Sequence, residues 1–357
     1  MINQQTTIPL PQEPPPIILV GAGGIVNDAH LPAYRNAGFS VAGIFDLNQE
    51  KAATTATSFG IPKVYGSLDE AVANAPQNAV FDVALPASAI PQTLSGLPDH
   101  APVLIQKPMG ENLVEAKAIL QLCQQKALRA AINFQLRFAP FVLAANEMIE
   151  QGLIGDLCDV EIRVTVYTPW HLWTFLEDVT CMEIYYHSIH YLDFMRATLG
   201  NPQGVYAKVT NHPLAPKLDG VRSTIILDYG EMVRANITTN HFHQYGLPHQ
   251  ESYIKWEGTK GAIKAKMGLL MDYPTGVADE FSYCLLEDGH VPVWQTKPLD
   301  GTWFPDAFIG PMSTVMSFAE GSIDAMPTAV EDAFQTMALV DAVQRSSQSG
   351  AIAIDVG

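Results

Sequence analysis

From residue 17 to about 140 the chain alternates short apolar segments with segments of helical character. PIILV, PAYRNAG, SVAGIFD, QEKAATTATSFG, KVYG, SLDEAVANA, VFDVALP, PVLIQKP and NLVEAKAILQLCQQKA follow one another in that order. Repeated strand and helix bury both faces of a sheet when the strands run parallel with helices on either side, so this half reads as doubly wound α/β. After about residue 140 the character changes. CDVEIRVTVYT, GVYAKVTN, RSTIILDYG and MVRANITTNHF are strand-like and alternate apolar with polar residues, the mark of an antiparallel sheet with one covered face. The tail MPTAVEDAFQTMALVDAVQRSSQSG has apolar residues at helical spacing and a glycine stop, which predicts a closing helix from near Thr328.

At 357 residues the chain is long enough for two domains. Hydrophobic residues make up 48% and charged residues 16%, and no apolar run approaches the ~18 residues of a membrane span, so a soluble globular protein is expected. The opening MINQQTTIPLPQEPPP has neither a basic start nor a long apolar stretch; its prolines predict an extended, mobile arm, and the cytoplasm is the expected compartment. Cys123, Cys158, Cys181 and Cys284 lie far apart with no C-x-x-C, which predicts reduced, buried thiols. A net charge of −17 repels polyanions, so neither nucleic acid nor an anionic membrane is an expected partner, and a small neutral substrate fits best.

The first apolar segment runs into Gly21-Ala22-Gly23-Gly24-Ile25-Val26. This begins as the dinucleotide fingerprint G-x-G-x-x-G and departs from it at Val26. Gly21 makes the sharp turn out of the strand, and Gly23 lets a pyrophosphate approach bare backbone amides at a helix start; the third glycine serves only helix–strand packing. Val26 therefore changes how closely helix and strand approach and leaves the phosphate cradle in place. Asp46 ends SVAGIFD, where a carboxylate accepts hydrogen bonds from both ribose hydroxyls of NAD and disfavours a 2′-phosphate. NAD is the expected cofactor, held by Gly21, Gly23, Gly24, Ile25, Val26 and Asp46, with Pro86, Gln106 and Lys107 at the ends of later strands.

GAGGIVNDAHLPA, VLIQKP, NFQLRFAPFVLAANEMIEQGLIGDL, HSIHYLDFMRATLG and KWEGTKGAI occur in this order. Together they resemble the glucose-fructose oxidoreductase, inositol dehydrogenase and rhizopine catabolism (Gfo/Idh/MocA) family over nearly everything after residue 16. The resemblance implies a Rossmann domain and a C-terminal open antiparallel sheet that covers the active site and often mediates oligomerisation. It also implies NAD(P)-dependent oxidation or reduction of CH–OH groups in sugars, polyols and related compounds. The expected organisation is a Pro-rich arm over 1–16, a Rossmann domain over 17–138, an antiparallel-sheet substrate and oligomerisation domain over 139–325, and a helix and tail over 326–357 packing back near the Rossmann domain. A homodimer or homotetramer through the C-terminal sheet follows from the same resemblance.

Oxidising a secondary alcohol sends a hydride to the nicotinamide and a proton to a base. By resemblance Lys107 matches the lysine of the family's Glu-Lys-Pro motif and His190 the histidine of its Asp-x-x-x-His segment. Lys107 ends a strand at the carboxyl edge of the parallel sheet, where ligands of such folds collect. The family's two carboxylates are replaced by Gln106 and by Tyr186, the third catalytic position. Losing a negative neighbour and water both disfavour a charged lysine, so Lys107 is expected to lose its proton more readily. At 100° per residue Glu183, Tyr186, His187, His190 and Asp193 fall within about 120° of helix circumference, either an active face or one turned to water. Glu183 or Asp193 is left as the carboxylate that orients His190. Glu183, His187 and His190, with His241 and His243, are alternatively ligands for a divalent metal, although the matched family sites need none. Trp170, His171 and Trp173 in YTPWHLWTF, with His187, are candidate sugar contacts, the tryptophans by stacking; core packing is the alternative. Arg137 is either a substrate contact or half of a structural salt bridge. The expected activity is hydride transfer between NAD and a secondary hydroxyl or carbonyl of a sugar or polyol. A cofactor-binding sensor and NAD-assisted elimination or hydrolysis stand as alternatives.

Overall fold

The computed structural model describes residues 8 and 10–351; much of the expected arm, 1–7 and 9, and the final residues 352–357 lie outside the described residues. Two compact units emerge: one runs up to Leu143 and takes in Asp300–Met337, the other comprises Ala144–Leu299 and the chain from Ala338 onward.

The first unit is built on five parallel strands, β1 (Ile17–Val20), β2 (Val41–Phe45), β3 (Val80–Val83), β4 (Pro102–Ile105) and β5 (Arg129–Ile132), in the order β2-β1-β3-β4-β5. Helices Leu31–Ala37, Gln49–Phe59, Leu68–Ala73, Ile90–Gly96 and Leu113–Gln125 alternate with them. Three of these start where the sequence supplies a polar cap: the side chains of Asn48, Ser67 and Asn112 each accept from the backbone three residues on. The register matters for function. Val20 pairs with both Phe45 and Val83, Val83 with Ile105, and Ile105 with Ile132, so all five strands end level. Gly21, Asp46, Ala84, Gln106 and Asn133 come next in each strand and share one carboxyl edge. The chain leaves β1 toward β2 and then crosses back to β3, which opens the ligand crevice of such sheets beside β1.

The sequence reading places residues 300–325 with the antiparallel sheet, but they belong to the first unit. Phe308, Met312, Val315 and Met316 are buried in one cluster with Ile17, Leu19 and Leu104, so the amphipathic helix Ile309–Glu320 covers the parallel sheet. The long helix Val330–Gln348 is divided between the units at Met337 and Ala338. Within the arm, residues 12–16 are tied down: the amides of Gln12 and Glu13 reach the Glu320 carboxylate at 3.3 and 3.5 Å, and Pro16 O accepts from Val80 at 3.0 Å.

The second unit carries eight strands, β6 (Leu157–Thr165), β7 (Gly204–Thr210), β8 (Arg222–Asp228), β9 (Arg234–Asn240), β10 (Glu251–Gly258), β11 (Gly261–Lys266), β12 (Glu280–Leu285) and β13 (Gln295–Lys297). Their order is β13-β12-β11-β10-β6-β9-β8-β7. All neighbours pair antiparallel except β6 and β9, which run parallel at the centre. Burial alternates as the sequence does: Ser223, Ile225 and Leu227 of β8 are covered while Thr224 and Ile226 are exposed. A helix, Ile189–Leu199, lies between β6 and β7 in the chain and packs on the covered face through Phe194, whose ring sits 5.7 Å from Trp256.

Candidate active site

At the carboxyl edge of the first unit each fingerprint glycine has a different reason to be one. Gly21 has φ +115°, and a Cβ there would fall 2.4 Å from Ala84 O, so no side chain is tolerated. At Gly23 the backbone is exposed and a Cβ would meet nothing within 4 Å. That space is what a phosphate on the backbone amides requires. Gly24 is nearly as open, its nearest would-be neighbour being Asp28 Oδ2 at 3.7 Å. Burial raises the pKa of Asp28. Ile25 is half-buried, and Val26 is fully buried in the core. The turn that follows, Val26–His30, is a π turn in which Leu31 N donates to Val26 O.

Two side chains hold the loop. Asp46 accepts from Ala22 N at 2.7 Å through Oδ2 and from Asn48 N at 2.7 Å through Oδ1. Asn27 donates to Gly23 O at 2.9 Å and accepts from Thr55 at 3.1 Å. Each oxygen of Asp46 keeps a lone pair for a ribose hydroxyl. Leu47, the next residue, is 91% exposed and sets an apolar surface beside the acid. Pro86 lies exposed just beyond β3. Asn27 and Leu47 had a weak signal, an amide and a large apolar residue placed immediately after recognisable motif positions.

Gln106 and Lys107 follow β4. Lys107 is partly covered, and burial pulls its ammonium pKa down from the ordinary lysine value to about 8. The Gln106 side chain turns inward. Its Oε1 accepts from Lys107 N at 2.8 Å, and its Nε2 lies 3.1 Å from His30 Nε2. His30 in turn lies 2.8 Å from Asp82 Oδ2 through Nδ1, Tyr34 OH donates to the same Oδ2 at 2.7 Å, and Asn133 Nδ2 is 3.3 Å from His30 Nε2. Desolvation, with Asp82 beside it, pushes the Tyr34 hydroxyl well up. The sequence reading quotes His30 within the fingerprint and gives it no role. Arg137 makes an ion pair with Asp332 at 2.6 Å and donates to Pro327 O at 2.8 Å.

In the second unit, residues Ile184–Ser188 form another π turn, set between a helical start at 182–183 and the α-helix Ile189–Leu199. The extra residue in that turn shifts the 100° register on which a single face over 183–193 is drawn. Glu183, His190 and Asp193 are all buried, while Tyr186 and His187 are half-covered; this is no water-facing stripe. Glu183 Oε1 accepts from Ser188 Oγ at 2.7 Å and lies 3.6 Å from His241 Nε2. His241 also meets Thr168 Oγ1 at 3.0 Å through Nδ1, and its ring is 4.6 Å from that of His187. Tyr186 sets its ring 5.7 Å from Phe175. Trp170 is buried among Leu176, Met182, Leu218 and Val221, edge-on to His187 and His241. Trp173 lies 5.4 Å from Tyr273, and His171 is exposed. Among the described residues no three His, Cys, Asp or Glu side chains are grouped to hold a metal ion.

Comparison with known proteins agrees with this geometry. Residues 16–134 match the model of an oxidoreductase family with an NAD-binding Rossmann fold, and residues 142–264 match the GFO/IDH/MocA C-terminal domain. The chain is 23% identical over 356 residues to D-apiose dehydrogenase of Rhizobium rhizogenes, covering 95% of this chain and 96% of that protein. It is also 23% identical over 347 residues to D-xylose 1-dehydrogenase (NADP(+)) 2 of Haloferax volcanii, covering 93% and 97%. An Agrobacterium radiobacter oxidoreductase, solved with NAD+, L-tartaric acid and magnesium, superposes with a TM-score of 0.78 at 19% identity over 95% of this chain and 98% of its own. With matching models across both halves, the chain belongs to the Gfo/Idh/MocA family of oxidoreductases.

Proposed function

We propose that the protein is an NAD-dependent dehydrogenase or reductase acting on a secondary hydroxyl or carbonyl of a sugar, polyol or sugar derivative. The observation that carries this reading is the shared carboxyl edge where open backbone at Gly23, the Asp46 carboxylate and the desolvated Lys107 meet. Gly21 to Ile25, Asp46, Pro86 and Lys107 hold the cofactor, whose nicotinamide exchanges a hydride with substrate, while Val26 and Gln106 pack behind them. Lys107 orients the reacting oxygen and carries its proton: a neutral amine accepts from an alcohol, and an ammonium donates to a carbonyl. His190 is the general acid/base of the same relay, taking up or returning the proton that Lys107 exchanges with the substrate, and Tyr186, standing where the family has a carboxylate, supplies a neutral hydroxyl. His187, His171 and Trp173 are proposed substrate contacts; the packing of Trp170 and the ion pair of Arg137 favour supporting roles for those two. Relatives named as dehydrogenases of D-apiose and D-xylose support a carbohydrate substrate. Cytoplasmic operation is proposed from the reduced-thiol pattern, and assembly through the second unit's sheet from its open face, where paired Tyr206 and Ile226 are exposed.

The deciding experiment supplies NAD+ with a panel of aldoses, polyols, uronates and glycosides and follows NADH absorbance together with product. Turnover of at least one sugar or polyol with matching NADH is expected; product without net NADH, or no turnover across the panel, would overturn the reading. Cofactor choice gives a separate test. Asp46 repels a 2′-phosphate, so NAD(H) is expected to bind at least about tenfold more tightly than NADP(H), about 1.4 kcal/mol. Equal affinities by calorimetry would remove Asp46 from that role.

A further inference from the structure

The residues behind Lys107 form a chain with a defined direction of hydrogen bonding. Gln106 Oε1 is committed to the backbone N–H of Lys107, which fixes the amide orientation and leaves Nε2, a donor, facing His30. Asn133 presents a second amide nitrogen to the same ring atom at 3.3 Å. A ring nitrogen met by two amide donors has to be bare, so the proton of His30 sits on Nδ1 and is donated to Asp82. Asp82 and Tyr34 are the ionisable groups on the ring; Gln106, Asn133 and Phe308, whose ring is 5.1 Å away, are neutral. His30, Asp82 and Asn133 are wholly buried and Tyr34 nearly so, so water does not substitute for any of these links.

We infer that His30 is a positioning residue for Lys107, acting through Gln106: Asp82 fixes the tautomer, the bare Nε2 fixes the glutamine amide, and the amide oxygen fixes the Lys107 backbone. This deepens the reading above and rests on Lys107 having the role given there. It also gives the missing family carboxylate a new explanation. A glutamate at position 106 would turn an acceptor oxygen toward the bare His30 Nε2 and need an added proton between them, whereas the Gln106 amide brings its own donor.

The test combines ring-labelled histidine NMR, with His30 assigned through a His30→Asn variant, and amide exchange at Lys107. The wild-type ring is expected to carry its proton on Nδ1. His30→Asn and Gln106→Met are expected to speed exchange of the Lys107 N–H by at least about tenfold. Tyr34→Phe removes a buried bond to the same carboxylate but leaves the link intact, so Lys107 exchange stays at the wild-type rate in it. Should His30 variants fail to fold, Gln106→Met and the wild-type spectrum still decide. A proton on His30 Nε2 in the wild type, or unchanged Lys107 exchange in Gln106→Met, overturns the inference. Full turnover in Lys107→Met would instead overturn the parent reading, whatever the exchange rates.

Discussion

Lys107→Met is expected to lower turnover by about 10²- to 10⁴-fold in either direction. Methionine keeps the length and apolar stem of lysine and removes the group that orients and protonates the reacting oxygen. The pKa of about 8 sharpens the prediction, because the amine then changes charge in the range where such a proton is exchanged. Burial is the cause, and Lys107→Arg separates charge from proton transfer: arginine stays protonated, so it orients an oxygen but accepts no proton. Oxidation is expected to stay low in Lys107→Arg at every pH. Wild-type oxidation rates in either variant would show that the lysine serves the cofactor or the fold instead.

His190→Ala is the second large effect, also about 10²- to 10⁴-fold on turnover with little change in NAD affinity. His190 is buried directly after the π turn Ile184–Ser188, so its placement depends on a backbone irregularity and not on a solvent-facing stripe. Truncating a buried side chain also costs stability, so His190→Gln, which fills similar space and retains a polar group, belongs beside it. Both variants are expected to lose turnover, with His190→Gln melting closer to wild type. Full activity in either would return His190 to a packing role.

The two sheets were legible in the sequence because their signals are local and periodic: apolar runs with helices between them in one half, period-two alternation in β6 to β9 of the other. Asp46 and the glycines were legible for a similar reason, since a level carboxyl edge places each strand's next residue at the crevice. Other features depend on distant partners. The placement of Ile309–Glu320 on the parallel sheet follows from which apolar face it covers, a choice that periodicity leaves open. The π turns before Leu31 and Ile189 each add one residue to a turn, and a 100° wheel drawn through residues 183–193 cannot anticipate that. Replacing a carboxylate by Gln106 predicts an electrostatic change at Lys107, but its side chain also bonds the Lys107 backbone and meets a histidine 76 positions earlier in the chain. Trp170 carried two readings of equal standing; its ring is packed in a buried cluster, which aromatic composition alone does not reveal.

If Lys107 carries the proton of the reacting oxygen, the pH dependence of kcat/KM follows the charge of its amine. For oxidation the neutral amine is the active form, so the wild-type rate is expected to rise with pH to a plateau with a midpoint near 8. For reduction the ammonium is the active form, and the rate is expected to fall through the same midpoint. Lys107→Met is expected to lose this limb in both directions. The same midpoint in wild type and Lys107→Met would contradict the claim, because the titrating group would then be another residue.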